Sequence, residues 1–429
     1  MSSSAGISLG RAHALASFVA QEVRRTGAPI DELTPLGSLR RYAPSVDRVT
    51  LLATAPADRH PAVLDGLARL SGKATVLNRT AGRIAVATER GPIEVWLTTP
   101  DQMGAALVWH TGTDAHVQQL QARASGRGLH FDGARLTDRG REVPCPSEND
   151  FYRHLGLPYV APELRESADA LEAAEQGRLP QLLSPLHIRG DLHAHTRWSD
   201  GRDTVEQMVA TAKQLGYEYF AITDHSERSA ASRTLARGDV ARQAAEIEAT
   251  RESTPGIEVL HGVEVDIMPD GSLDFDDALL AGFDIVLASL HDDAGHGGPR
   301  LLDRYLRAVE HPLVNIITHP ANRTPGGYDG YDLDYDRLFD AAAATGTAME
   351  VDGSPGHLDL DGALARRAVS RGVTLVVDSD GHRADFLGRQ LHFGVGTARR
   401  GWVEPRHVLN TQGIAAVRAF VAAKRRARS

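Results

Sequence analysis

Histidine, aspartate and glutamate residues stand at the ends of short apolar runs throughout the second half of the chain. The runs are rich in valine and isoleucine, and most are followed at once by a side chain that can bind a metal ion. Imidazole and carboxylate donors together favour Zn²⁺, Mn²⁺ or Fe²⁺ over Mg²⁺ or Ca²⁺. The pattern predicts one multinuclear centre formed by His193, His195, Asp200, His225, Glu264, His291, His319, Asp380 and His382.

Closely spaced divalent ions are suited to the hydrolysis of phosphate esters. They lower the pKa of water and neutralise the phosphoryl oxygens, so that no side-chain nucleophile is required. The sequence contains no Walker motif, and we assign no catalytic nucleophile. We therefore predict a metal-dependent phosphoesterase.

Three residues near these runs have more than one interpretation. Arg323, four residues after His319, either binds phosphate through bidentate hydrogen bonds or is an ordinary surface arginine. Asp200 precedes a glycine and suits either a metal ligand or a turn. Asp224 precedes His225 and suits a residue that orients a ligand histidine without binding the metal itself.

The apolar runs alternate with amphipathic segments, which predicts parallel strands joined by helices. The runs show little polar alternation, as in strands that are covered on both faces. A seven-stranded barrel is the simplest arrangement, and its C-terminal strand ends would hold the chemistry. His193 and His195 are two residues apart and would point the same way. The seven runs cover 190–195, 219–225, 259–267, 284–291, 314–320, 348–353 and 374–380.

Composition narrows the class of protein. The formal net charge of −9 provides no overall basic field for nucleic acid, although a local basic cleft can act alone. The single cysteine, Cys145, excludes an intrachain disulfide and fits a reducing compartment. No apolar run approaches the roughly 18 residues that span a bilayer. We expect a cytoplasmic protein without a membrane partner.

Six motifs resemble, in order, those of the PHP (polymerase and histidinol phosphatase) domain: GDLHAHTRWSDG, ITDHS, GVEVDI, ASLHD, THP and DSDGH. From about Pro185 onwards the sequence is similar to the bacterial family-X DNA polymerase/3′–5′ exonucleases, known as PolX. The resemblance implies a distorted seven-stranded (β/α) barrel, three divalent ions (Mn²⁺, Zn²⁺ or Fe²⁺) and hydrolysis at DNA 3′ ends. It also implies how the ligands divide: His193, His195, Glu264 and Asp380 for the first ion, Glu264, His291 and His319 for the second, and Asp200, His225 and His382 for the third.

The first half resembles the polymerase part of the same family, with losses. GSLRR (37–41) is similar to the Gly-Ser motif of the palm, which in the family precedes a strand with two Mg²⁺-binding aspartates. Here Arg48 and Thr50 stand at those positions, while Glu94 keeps the third acid in altered form. A cation and a hydroxyl cannot bind two Mg²⁺ ions. The resemblance implies a truncated member with an α+β nucleotidyltransferase-like region and no polymerase activity: a degenerate palm (1–110), a thumb-like helical region and linker (111–183), and a PHP domain (184–429).

Three functions remain open. The first is a 3′–5′ exonuclease or DNA 3′-end processing enzyme that acts on 3′ ends or single strands. The second is a small-molecule phosphatase of the histidinol-phosphatase type, favoured by the acidic net charge and by Glu227 where the family often has lysine. The third is a non-catalytic DNA-binding protein. A complete ligand set argues against the third, since buried carboxylates and histidines without a partner are costly.

Overall fold

The computed structural model describes residues 6–70, 74–167 and 169–426. The chain forms two compact units, Met1–Leu179 and Pro180–Ser429. The finer division at residues 110 and 183 stays a prediction.

A five-stranded sheet forms the centre of the first unit. The elements of this part are β1 (Ile7–Ser8), α1 (Leu9–Thr26), β2 (Glu32–Pro35), α2 (Gly37–Arg40), β3 (Ser45–Val46), β4 (Val49–Thr54), α3 (His60–Ala68), β5 (Thr75–Thr80), β6 (Arg83–Thr88) and β7 (Gly91–Thr98). The strand order is β2-β4-β7-β6-β5, and β4 and β7 are parallel while the other neighbours are antiparallel. Helix α1 has an apolar stripe with helical spacing, and its buried residues are Leu9, Ala12, Leu15, Ala16, Val19 and Val23.

The rest of the first unit contains helices and a small antiparallel sheet. Its elements are α4 (Met103–Thr111), α5 (Asp114–Gly126), β8 (Leu129–Asp132), β9 (Arg135–Asp138), β10 (Arg141–Glu142), α6 (Glu148–His154) and α7 (Asp169–Glu175). The sheet β8–β10 was not predicted, because its strands have only two to four residues and are mostly exposed. The fully buried Arg165 holds this region together by donating to the Glu148 carboxylate at 2.7 Å.

The second unit is the predicted barrel of parallel strands, which is confirmed. Within residues 180–426, seven strands pair in consecutive order, and all neighbours are parallel. They are β11 (Gly190–Asp191), β12 (Tyr219–Ile222), β13 (Glu258–Asp266), β14 (Ile285–Ser289), β15 (Ile316–Ile317), β16 (Ala348–Asp352) and β17 (Leu375–Asp378). The helices are α8 (Val205–Gln214), α9 (Val240–Ser253), α10 (Asp277–Leu280), α11 (Gly298–Glu310), α12 (Tyr335–Thr345), α13 (Gly362–Ser370), α14 (Leu387–Arg400) and α15 (Ile414–Arg426).

The barrel strands are buried on both faces, which explains their nearly continuous apolar sequences. One face packs against the surrounding helices. The other face forms a smaller inner cluster, in which Tyr219, Ile285 and Ala348 from the starts of strands join Val417 and Val421 of α15. Helix α15 therefore covers the N-terminal strand ends, and the C-terminal ends that carry the predicted ligands lie at the opposite end.

A seam separates the first and last barrel strands. In the described residues, β11 and β17 meet through an isolated bridge from Ala194 to Gly381. The buried side chain of Asn410 spans the same gap: its Nδ2 donates to Gly190 O at 2.9 Å and to Val377 O at 2.7 Å. The barrel is thus nearly closed, and the Asn410 side chain supplies hydrogen bonds between the first and last strands where a regular strand pairing is absent.

None of the helices in the described part of the chain is both long enough and apolar enough to cross a lipid bilayer. The basic segment KRRAR (424–428) continues past the described residues. Within α15, Lys424 is only 5% exposed and donates to Val309 O at 2.7 Å, while Arg425 donates to Phe283 O at 2.7 Å. The charged groups of Lys424 and Arg425 therefore bind backbone carbonyls within the second unit.

Candidate metal centre

The strands deliver the nine predicted residues to one end of the barrel. Most of these side chains come from the last residues of a strand or from the segment just after it, where parallel strands share an edge. The nine side chains are buried or half-buried, and their donor atoms converge. The structure therefore brings together the set that the sequence predicted, while the role of each as a ligand stays a prediction.

Glu264, which is fully buried in β13, lies at the middle of this cluster. Its carboxylate oxygens have five imidazole nitrogens within 4 Å, and these come from the ends of four strands. The distances are 2.8 Å to His225 Nδ1, 3.0 Å to His319 Nε2, 3.4 Å to His193 Nε2, 3.6 Å to His195 Nε2 and 3.6 Å to His291 Nε2. One carboxylate with so many histidine neighbours is suited to bridging metal ions.

Asp380 and Asp200 complete the cluster on the side of the seam. Asp380 Oδ1 lies 3.1 Å from His195 Nε2 and 3.5 Å from His382 Nδ1. Asp200 Oδ1 lies 3.2 Å from His382 Nε2 and 3.6 Å from His225 Nε2. Asp200 is therefore part of the cluster and does more than form a turn before Gly201.

Several donor atoms of the cluster are placed as metal ligands would be, and they do not form hydrogen bonds with their neighbours. The Nε2 atoms of His193 and His195 face each other at 3.0 Å. His225 Nδ1 and Glu264 Oε2 are buried and form no hydrogen bond, although they are only 2.8 Å apart. Within 4.8 Å, donor atoms gather in the groups His195–Asp200–His225–His382, His193–His195–Asp380 and His225–Glu264–His291. Converging nitrogen and carboxylate donors, some of them buried without a hydrogen-bond partner, are what a metal site presents.

The protonation of the metal-free cluster follows from its charges. Burial lowers the pKa of His193, but the carboxylates of Glu350 and Glu264 outweigh burial and raise that pKa well above its usual value. Burial likewise opposes protonation of His319, yet Glu264 raises its pKa to about 9. In contrast, burial and neighbouring imidazoles lower the pKa of His195 to about 3. Cations must therefore displace protons from some imidazoles, so acid weakens their binding.

Two functional neighbours of the cluster were not predicted. Glu350 in β16 is fully buried, and its Oε1 accepts from His193 Nδ1 at 2.6 Å while its Oε2 accepts from the backbone N of His319 at 2.8 Å. Asp266 Oδ1 lies 2.9 Å from His291 Nδ1. Such partners fix the orientation of a histidine ring and the tautomer that faces a metal. The signal was available, because Glu350 lies in the apolar run AMEVDG and Asp266 lies two residues after Glu264.

Asp224 accepts hydrogen bonds from the loop that follows β11. Its fully buried carboxylate accepts from Thr196 N at 2.7 Å, from Ser199 Oγ at 2.6 Å and from Gln243 Nε2 at 2.7 Å. These bonds hold the segment between His195 and Asp200. Asp224 therefore positions Asp200 through the backbone, which differs from the expected support of a histidine ring.

Arg323 is half-buried and forms an ion pair with Asp361, with Nη1 and Oδ2 3.0 Å apart. The guanidinium is thus partly neutralised by its own chain. A contact between Arg323 and phosphate stays a prediction.

The described residues of the five-stranded sheet contain no comparable donor cluster. Residue Thr50 of β4 pairs directly with Glu94 of β7. Glu94 lies between two guanidinium groups, with Arg48 Nη1 at 3.2 Å and Arg83 Nη1 at 2.9 Å. No group of three histidine, cysteine or carboxylate donors converges in the described residues of the first unit.

Replacing Glu350 by alanine is expected to weaken Mn²⁺ binding by roughly 10- to 100-fold, since removing the partner of a ligand histidine typically costs that much. His193 would lose its acceptor, and the backbone N–H of His319 would be left without a partner. Titration calorimetry with Mn²⁺ checks this. The exposed Glu252 in α9 provides the matched alanine control. Equal affinity in a folded Glu350→Ala protein would show that Glu350 has no part in orienting these histidines.

Two family models match the chain, one in each unit. The PHP domain matches residues 191–353, so the barrel with its histidine and carboxylate cluster defines a PHP-domain protein. The DNA polymerase beta thumb matches residues 106–166, which includes α5, the sheet β8–β10 and α6.

Individual relatives agree with these matches. The DNA polymerase/3′-5′ exonuclease PolX of Bacillus subtilis is 35% identical over 392 residues, which cover 90% of this chain and 68% of that protein. The chain belongs to the PolX family. A probable phosphatase of Shewanella oneidensis is 30% identical over 46% of this chain and 78% of its own length. Another from Syntrophotalea carbinolica is 32% identical over 40% and 69%.

Proposed function

We propose that this chain is a metal-dependent phosphoesterase that removes nucleotides or blocking groups from DNA 3′ ends and does not polymerise DNA. The main support for hydrolase activity is the carboxylate of Glu264, which has five imidazoles around it at the mouth of the barrel. The exonuclease activity in the name of the Bacillus subtilis relative supports DNA as the substrate. The match to a polymerase thumb supports it independently.

We assign three divalent ions to the cluster, as Mn²⁺, Zn²⁺ or Fe²⁺. His193, His195, Glu264 and Asp380 would hold the first, Glu264 with His291 and His319 the second, and Asp200, His225 and His382 the third. When bound, such ions activate water and neutralise the phosphoryl oxygens. Glu350 and Asp266 orient histidines of the cluster.

The loss of polymerase chemistry is proposed from the ion pairs at Glu94. A palm active site needs carboxylates that are free to bind Mg²⁺. Arg48 stands where the family has a metal-binding aspartate, and Arg48 and Arg83 both pair with Glu94. The first unit would then act in DNA binding or as structural support for the chain.

A small phosphate ester is the second candidate substrate. The relatives named as probable phosphatases favour it, and so does the pairing of Arg323 with Asp361. Both candidate substrates would be hydrolysed at the same cluster. The residues around the mouth of the barrel would decide which of the two binds.

The test uses the full chain with Mn²⁺ and three substrates: a 5′-labelled single strand, a primer–template duplex with nucleotides, and histidinol phosphate. We expect the labelled strand to shorten from its 3′ end and the primer not to be extended. Primer extension would overturn the loss of polymerase activity. Intact DNA together with phosphate release from histidinol phosphate would overturn the DNA substrate in favour of the second candidate. No hydrolysis of either substrate would overturn the phosphoesterase itself.

A further inference from the structure

Beside the nine-residue cluster, the sixth barrel strand and the loop after it bring two more donors, Asp352 and His357, next to Asp380. An oxygen of Asp352, a ring nitrogen of His357 and an oxygen of Asp380 lie within 4.8 Å of one another. Asp352 is the last residue of β16, whereas His357 lies in the following loop. Neither residue belongs to the predicted ligand set, and Asp380 is shared with it.

The backbone explains how the loop returns to the mouth of the barrel. A Cβ on Gly353 would come within 2.0 Å of Gln390 O, so only glycine fits directly after Asp352. The chain then turns, with hydrogen bonds from His357 N to Ser354 O at 3.0 Å and from Leu358 N to Ser354 O at 2.9 Å. This turn carries His357 back over the strand ends, where its ring stacks on His319 with centroids 5.0 Å apart.

Two atoms of this group are buried without a hydrogen bond. Asp352 is 0% exposed, and while its Oδ1 accepts from Ser354 N at 2.5 Å, its Oδ2 has no partner. The Nδ1 of His357 is likewise buried and unpaired. A buried carboxylate next to other carboxylates needs a positive charge or a proton for compensation. An open carboxylate oxygen and an open imidazole nitrogen are the donors that Mn²⁺, Fe²⁺ and Zn²⁺ accept.

We propose that Asp352, His357 and Asp380 form a binding position for one further divalent cation, next to the ions assigned to the nine-residue cluster. This proposal rests on the proposed function, because Asp380 belongs to both groups. A cation here would add positive charge at the side of the mouth formed by the sixth and seventh strands. It would therefore contribute to the attraction of a negatively charged phosphate substrate.

The test counts bound metal and does not depend on activity. The wild-type chain, the Asp352→Asn/His357→Gln double variant and the His357→Gln single variant are loaded with Mn²⁺, passed through a desalting column and subjected to elemental analysis. Titration calorimetry gives the affinities. The matched control is Asp329→Asn/His130→Gln, since both residues are exposed.

We expect the double variant to lose about one equivalent of Mn²⁺ per chain and to keep the remaining ions. The single variant alters only a half-buried loop residue and should bind that ion at least about 10-fold more weakly, so the proposal is testable even if Asp352→Asn impairs folding. Unchanged stoichiometry and affinity in the folded variants would overturn the proposal, since Asp352 would then have no part in binding a cation. A wild-type chain that binds no Mn²⁺ at all would instead overturn the proposed function.

Discussion

Replacing Glu264 by glutamine abolishes phosphoester hydrolysis, if the cluster binds metal as we propose. The amide has the same shape but carries no negative charge, and it presents a donor to one of the imidazoles that now surround the carboxylate. Because Glu264 lies within 3.6 Å of five histidines, its change affects more than one ion. The loss should exceed the roughly 10- to 100-fold cost of removing an outer partner of a ligand.

Phosphate release from a chromogenic ester with Mn²⁺ measures this effect, and circular dichroism checks the fold. The control is Glu94→Ala, which removes the acid paired with Arg48 and Arg83 in the first unit. Activity should stay unchanged in that variant. If Glu94→Ala lost hydrolysis while remaining folded, the chemistry would belong to the first unit and not to the barrel.

The second large effect concerns stability. Removal of divalent ions by a chelator should lower the melting temperature of the second unit by roughly 5–10 °C. The estimate follows from linkage: a ligand present at a hundred times its Kd stabilises the native state by about 2.7 kcal/mol. For a domain of 150–250 residues, each kcal/mol shifts the midpoint by about 2–4 °C.

Differential scanning calorimetry with chelator, and again after Mn²⁺ is restored, provides the measurement. The physical reason is the buried cluster itself. When no cation is bound, the negative charge of the fully buried Glu264 is compensated by protonated imidazoles such as His193, whose pKa the nearby carboxylates raise. The Glu264→Gln protein should show a much smaller response to Mn²⁺. A wild-type melting temperature that is the same with chelator and with Mn²⁺ would mean that the cluster does not bind the ion.

The sequence was sufficient for the parts of the site that repeat. Valine- and isoleucine-rich runs ending in histidine or acid define parallel strands and the edge they share, and this places His193, Glu264 and Asp380 together before any coordinates are known. The parallel barrel is confirmed for the same reason: strands covered on both faces have continuous apolar sequences.

The features that could not be predicted depend mostly on contacts between residues that are far apart in the sequence. The run AMEVDG indicated an acid in a barrel strand, but the partners of Glu350 lie 157 and 31 positions away, so the sequence did not show which histidines it contacts. His357 reaches the cluster only because a tight turn reverses the chain after Gly353. Arg323 is paired with Asp361, whose proximity no local spacing indicates. The small sheet β8–β10 was missed because two- to four-residue exposed strands carry little hydrophobic pattern.

The Asn410 bridge has a consequence for how the protein is made. Gly190 and Val377, which the amide of Asn410 joins, are synthesised well before residue 410 emerges from the ribosome. His193 and Asp380 flank that junction closely in sequence, so we expect their final spacing to depend on a residue that is translated after all seven barrel strands. A nascent chain can acquire most of its strands early, but it gains this bridge only after residue 410 has been synthesised.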